Sequence, residues 1–160
     1  MISIRTATVK DAPLLTTMIR ELAEYKHLDH ELGVTQEAIA RDGFGPRPKF
    51  RALIAESDRE IAGYALFFEF YSSFQGRAVL WLDDLFVRPP FRKLGVGKAL
   101  LAHVAAVAVR EEYFCIRWEV LDWNELAIGF YNKHDAAFLD EWREGCLIGD
   151  PLQAMADQAK

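Results

Sequence analysis

Val87-Arg88-Pro89-Pro90-Phe91-Arg92-Lys93-Leu94-Gly95-Val96-Gly97-Lys98 joins two segments of opposite periodicity. Upstream, Ala78 to Val87 is aliphatic and aromatic and reads as a strand, which Pro89-Pro90 must end because proline offers no ladder N–H and restricts its predecessor. Downstream, Val96, Ala99, Leu100, Val104, Val107 and Ala108 recur near helical spacing, predicting a helix over Gly95 to Glu111. A strand, a glycine turn and a helix in that order make an anion site. The first amides of the helix have no intrahelical acceptor, its dipole is positive at that end, and small residues let a ligand approach. Arg92, Lys93 and Lys98 add charge, so the segment suits a pyrophosphate.

Three phosphate-binding patterns can be laid on these residues. A P-loop, G-x-x-x-x-G-K-[ST], fails twice: Arg92 stands at the first glycine position and Ala99 replaces the magnesium-binding hydroxyl. A dinucleotide fingerprint, G-x-G-x-x-G, has Leu100 at its third glycine, although Glu119 lies at a workable distance for a ribose contact; it stays open as a second reading. The third, R-x-x-G-x-G, is met by Arg92, Gly95 and Gly97. Here the chain resembles the GNAT superfamily of acyl-CoA N-acetyltransferases, and within it the spermidine/spermine (diamine) N-acetyltransferase group. The matching stretches run in order along nearly the whole chain: Ile4-Arg5-x-Ala7-Thr8, Glu21-Leu22-Ala23-x-Tyr25, Asp42-Gly43-Phe44-Gly45, Leu82-x-Asp84-x-Phe86-Val87 and Trp123-Asn124-Glu125-x-x-Ile128-x-Phe130-Tyr131.

The rest of the chain reads as a mixed α/β domain. Ile2 to Thr6 alternates as a strand, and Leu14, Leu15, Met18, Ile19, Leu22 and Ala23 mark an amphipathic helix. A shorter helix begins after Thr35 and ends before Gly43. Phe50 to Glu56 and Glu60 to Tyr71 predict a hairpin about Ser57-Asp58-Arg59. After the long helix come a strand over Cys115 to Leu121, a helix over Glu125 to Lys133 and a last strand over Trp142 to Ile148. The order βααβββαβαβ and the resemblance together imply a GNAT fold. Its sheet is mixed, twisted and mostly antiparallel, flanked by helices and opened between its fourth and fifth strands.

Composition narrows the function. With 160 residues, 51% hydrophobic and 27% charged, the chain is expected to form one catalytic domain over 1–160. A net charge of −5 supplies no positive field for nucleic acid or anionic membrane, and no apolar run is long enough to span a bilayer, so a cytoplasmic enzyme is expected. Cys115 and Cys146 form no C-x-x-C pair, and His27-Leu28-Asp29-His30-Glu31 lacks a zinc pattern, so no metal is expected. There is no G-x-S-x-G elbow, and Cys115 in its apolar run predicts a protonated thiol; direct transfer in a ternary complex is preferred to an acyl-enzyme.

Asp83 and Asp84 interrupt the hydrophobic run Val79 to Val87, where carboxylates are costly unless they meet water or a partner. Strand alternation predicts that they point to opposite faces. The resemblance implies that Asp83, a glutamate in the polyamine enzymes, accepts the amine's proton, that Asp84 lines the amine site, and that Tyr131 protonates the departing CoA thiolate; Tyr25 is expected to flank the amine by cation–π contact. It implies too that acetyl-CoA, the only cosubstrate, lies along backbone groups of Leu85, Phe86 and Val87. Its pyrophosphate would rest on Arg92 to Lys98, including Leu94 and Val96, with Asn124 and Tyr131 also contacting CoA. The same resemblance implies a homodimer sharing C-terminal segments. Lys26 stands where the polyamine enzymes carry a glutamate, and Asp83 is one methylene short, so the acceptor is expected to be a lysine-like amino acid or short diamine in preference to spermine. A non-catalytic acyl-CoA-binding module is the remaining alternative.

Overall fold

The computed structural model describes residues 1–141 and 145–159. The chain divides into two compact units, Met1–Leu121 and Asp122–Lys160. In the first, β1 (Ile2–Thr6) leads through a 3-10 turn into α1 (Ala12–Lys26), followed by α2 (Gln36–Phe44) and β2 (Arg51–Ser57). Then come β3 (Glu60–Ser72), β4 (Arg77–Val87), α3 (Val96–Arg110) and β5 (Ile116–Arg117). The sheet order is β1-β2-β3-β4-β5; the first three pairings are antiparallel and β4–β5 is parallel. Among the described residues only β4-α3-β5 has the crossover of a parallel unit, which sets aside the dinucleotide-binding reading of the glycine turn.

The sheet alternates its side chains into two cores. Ala52, Ile54, Tyr64, Leu66 and Phe86 pack with Leu15, Met18 and Leu22 of α1 and Ile39 of α2. Leu53, Ala65, Phe67, Leu80 and Leu82 pack with Val96, Leu100, Val104 and Ala108 of α3 on the other face. The apolar stripe read from the sequence of each helix is the stripe that is buried. Entry into α1 is held by Asp11, whose carboxylate takes both outer nitrogens of Arg5 (2.7 and 2.9 Å) and the Thr8 amide (2.8 Å).

Two expected strands differ. That over Cys115 to Leu121 shrinks to Ile116–Arg117, because β4 and β5 separate after Trp81↔Arg117. Of the last one, residues 142–144 lie outside the described residues, and Gly145 to Ile148 are exposed and form no strand. In the second unit, α4 (Glu125–Asn132) matches its expected helix, while α5 (Asp150–Ala156) was not anticipated. Its signals were present: Gly149 turns the chain at φ 63° and Pro151 takes a first-turn position that tolerates its missing N–H.

Candidate active site

The parting of β4 from β5 leaves one edge of β4 open from Leu82 onward. The Arg88 amide donates to the Ala62 carbonyl (2.9 Å), so in the antiparallel register Phe86 and Asp84 turn their backbones toward β3. Leu85 and Val87, one residue out of phase, turn theirs toward the opening. Phe86 differs from its neighbours, since its ring is buried beside Tyr64 at 6.1 Å. The Val87 carbonyl is already taken by Nε of Arg92 (3.0 Å).

Opposite faces for Asp83 and Asp84 is a correction. The β3–β4 register slips between Leu66 and Phe67, Leu66 facing Asp84 and Phe67 facing Leu82, so Asp83 is the extra residue of a bulge. Before it, Leu80 and Leu82 face the α3 core; after it, Leu85 and Val87 do. The extra residue resets the alternation and puts both carboxylates on the α1/α2 side. There they share a cleft of about 530 Å³ with Ile19 of α1, Ile39 of α2, and Leu66 and Phe68 of β3. Phe50 and Lys49, from the segment entering β2, complete its lining.

The two carboxylates are in different environments. Asp83 is exposed and accepts a hydrogen bond from the Trp81 indole (3.3 Å). Asp84 accepts one from the Tyr64 hydroxyl (2.8 Å) and stands 3.9 Å from the Lys26 ammonium. Burial raises the Asp84 carboxyl above its ordinary value; Lys26 opposes that shift and Asp83 adds to it. Tyr64, buried beside this carboxylate, is pushed well above the usual phenol range. Lys26, read from the sequence as a charge against a polycation, is thus the counter-charge of Asp84.

Beyond β4, Lys93 (φ 62°) and Gly95 (φ 91°) take left-handed conformations, and Gly95 caps α3. This geometry delivers the chain to the helix with the Val96, Gly97 and Lys98 amides at its open end. Lys93, Leu94 and Lys98 are exposed, whereas the Val96 side chain is buried in the core. Arg92 and Tyr25, assigned from the sequence to different ligands, meet each other: the guanidinium lies 4.6 Å from the Tyr25 ring centroid. This stacking, with the bond to Val87, braces the turn against α1.

In the second unit Asn124 is the N-cap of α4, accepting from the Ala127 amide (3.2 Å). Tyr131 is buried, with the Phe130 ring edge-on at 5.2 Å. No group of three or more metal-ligating side chains occurs among the described residues.

The pattern of the Acetyltransferase (GNAT) family matches residues 15–136, more than half of the chain. The chain belongs to the GNAT acetyltransferase family. Among relatives, the mouse thialysine N-epsilon-acetyltransferase is 35% identical over 96% of this chain and 96% of its own length. The Arabidopsis thaliana L-ornithine N5-acetyltransferase is 31% identical, covering 95% of this chain and 86% of its own. Among solved structures, an integron cassette protein from V. cholerae superimposes with a TM-score of 0.79 at 19% identity, covering 97% of each chain. A metagenomic aminoglycoside acetyltransferase crystallised with sisomicin gives 0.77 at 13%, covering 93% of this chain and 97% of its own. These two likenesses are of fold.

As a GNAT enzyme the protein is an N-acetyltransferase, so the binding-module and oxidoreductase alternatives fall away. Sequence reasoning missed Lys49 of the cleft, in a proline-rich stretch, and Tyr64, the buried partner of Asp84 in a run that reads only as strand. Neither carries a motif. A tyrosine among residues expected in the core, with a hydroxyl needing a partner, was the only available signal for Tyr64.

Proposed function

We propose that the protein transfers the acetyl group of acetyl-CoA to a primary amine of a small molecule, a lysine-like amino acid, diamine or polyamine, in a ternary complex. The observation that carries this reading is the bulge in β4, beside which an open strand edge and a cleft with two carboxylates come together. The names of the thialysine and ornithine relatives support an amine carried on a short chain.

Acetyl-CoA supplies the thioester carbonyl. The amides of Gly95 to Lys98 and the charges of Lys93 and Lys98 hold its pyrophosphate, and Arg92 keeps the turn in shape. The open edge at Leu85 and Val87 receives the pantetheine arm, and an amide N–H there polarises the carbonyl as charge develops on its oxygen. Asp83 and Asp84 draw the cationic amine into the cleft, and Asp83, exposed at the bulge, accepts its proton directly or through water so that the nitrogen can attack. Tyr131 donates the proton that the departing thiolate needs. Asn124 orders the start of α4 and contacts CoA.

The same reading makes the protein a cytoplasmic homodimer whose 160 residues act as one domain. The test is release of free thiol from acetyl-CoA across lysine analogues, diamines, polyamines and aminoglycosides. Amine-dependent release with one of the first three classes is expected; release independent of amine, or confined to aminoglycosides, would overturn the assignment.

A further inference from the structure

We propose that Lys49 is a specificity-determining residue that binds an anionic group at the far end of the acceptor, so that the preferred substrate is an ω-amino acid with a free carboxylate. This inference rests on the reading of the β4 cleft as the amine site. The cleft is polar at two places and apolar between them. Asp83 and Asp84 of β4 hold one side, and Lys49, entering β2, holds another. Strands β2 and β4 are two strand spacings apart, about 10 Å, and Lys49, two residues ahead of Arg51, is staggered along them from Asp84; the Lys49 side chain and the chain of ornithine or lysine reach across that gap together. Ile19, Ile39, Leu66 and Phe68 lie along that span and suit methylene groups.

Lys49 is held at its edge. Its backbone amide donates to the Asp42 carbonyl (2.6 Å), and the neighbouring Phe50 ring lies over Gly43, where an added Cβ would come within 2.6 Å of it. Its ammonium is 3.0 Å from Asp42, but that carboxylate already takes two hydrogen bonds from Arg41 (2.6 and 3.1 Å). Two cations share one carboxylate, so the group keeps one net positive charge. An incoming carboxylate meets an ammonium whose partner, Asp42, is also satisfied by Arg41. A diamine or polyamine brings its second ammonium to the same charge and is repelled.

The experiment compares ornithine and lysine with putrescine and cadaverine, the same chains without the carboxylate, as acceptors for wild type, Lys49→Met and Lys49→Glu. Wild type is expected to favour the amino acids by about tenfold or more in kcat/KM. Lys49→Met should raise KM for the amino acids about tenfold with kcat within about twofold, and should lower KM for the diamines as the repulsion is lost. Lys49→Glu should invert the preference. Wild type using diamines as well as amino acids, or a Lys49→Met variant that slows both classes equally, would overturn the role of Lys49 while leaving the small-amine reading intact. Failure of all four acceptors, together with the wider amine panel, would overturn that reading itself.

Discussion

Asp83 and Asp84 are neighbours in sequence with the same side chain, yet only Asp84 gives up solvent and takes a phenol as partner. Because its folded-state pKa is raised, the folded protein holds the Asp84 proton more tightly than the unfolded chain does. The corresponding stabilisation is complete below the ordinary carboxylate range and is lost as pH rises through the raised value. Asp84→Asn keeps an acceptor for Tyr64 without the buried charge, so its melting temperature should match wild type in acid and exceed it increasingly toward neutral pH. A variant that is less stable than wild type at every pH would contradict this. At Tyr131, removal of the hydroxyl in Tyr131→Phe should lower kcat on the order of a hundredfold with little change in acetyl-CoA affinity, read by steady-state kinetics and calorimetry. The residue types of this site were legible from sequence. Their orientation was not, because alternation holds only while a strand is regular, and nothing in Leu82-Asp83-Asp84-Leu85 announces that the register slips there.

At the scale of elements, the β4-to-α3 turn and the β1-to-α1 turn each rest on one residue. Gly95 holds φ 91°, with its nearest neighbour, Ile2 Cδ1, 3.7 Å from an added Cβ, so a methyl group has room but the backbone does not suit it. Gly95→Ala should cost about 1–2 kcal/mol and weaken acetyl-CoA binding as the turn relaxes. Unchanged binding in a titration would remove this turn from the CoA site. At the other turn, Arg5 and the Thr8 amide hold the Asp11 carboxyl at about 2, below its unfolded value. The stability this supplies is present above the unfolded pKa and lost as pH falls through the folded one, about 2 kcal/mol in all. Urea denaturation of Asp11→Ala should therefore show a deficit at pH near 7 that narrows as pH approaches about 2. Element types were readable wherever periodicity was sustained, as in α1, α3 and β3. β5 was read too long because a strand's length depends on its neighbour as much as on its own residues.

For the whole molecule, any ligand that binds only the folded chain shifts the melting equilibrium. Acetyl-CoA at about a hundred times its dissociation constant should add roughly 2.7 kcal/mol of stability, and NAD should add none. The reverse result in a thermal-shift assay would contradict the donor proposed here. What the sequence alone determined is the kind of protein: the order of its main elements, the glycine turn ahead of α3, and the ordered stretches that resemble GNAT enzymes. Local periodicity and turn chemistry carry that information and act over a few residues. Only the tertiary structure decided that Asp83 and Asp84 share a cleft, that Arg92 rests on Tyr25, that Lys26 offsets Asp84 and that Lys49 stands at the same cleft as both carboxylates. Those facts depend on strand register and on segments distant in sequence meeting across one sheet, and no local pattern encodes either.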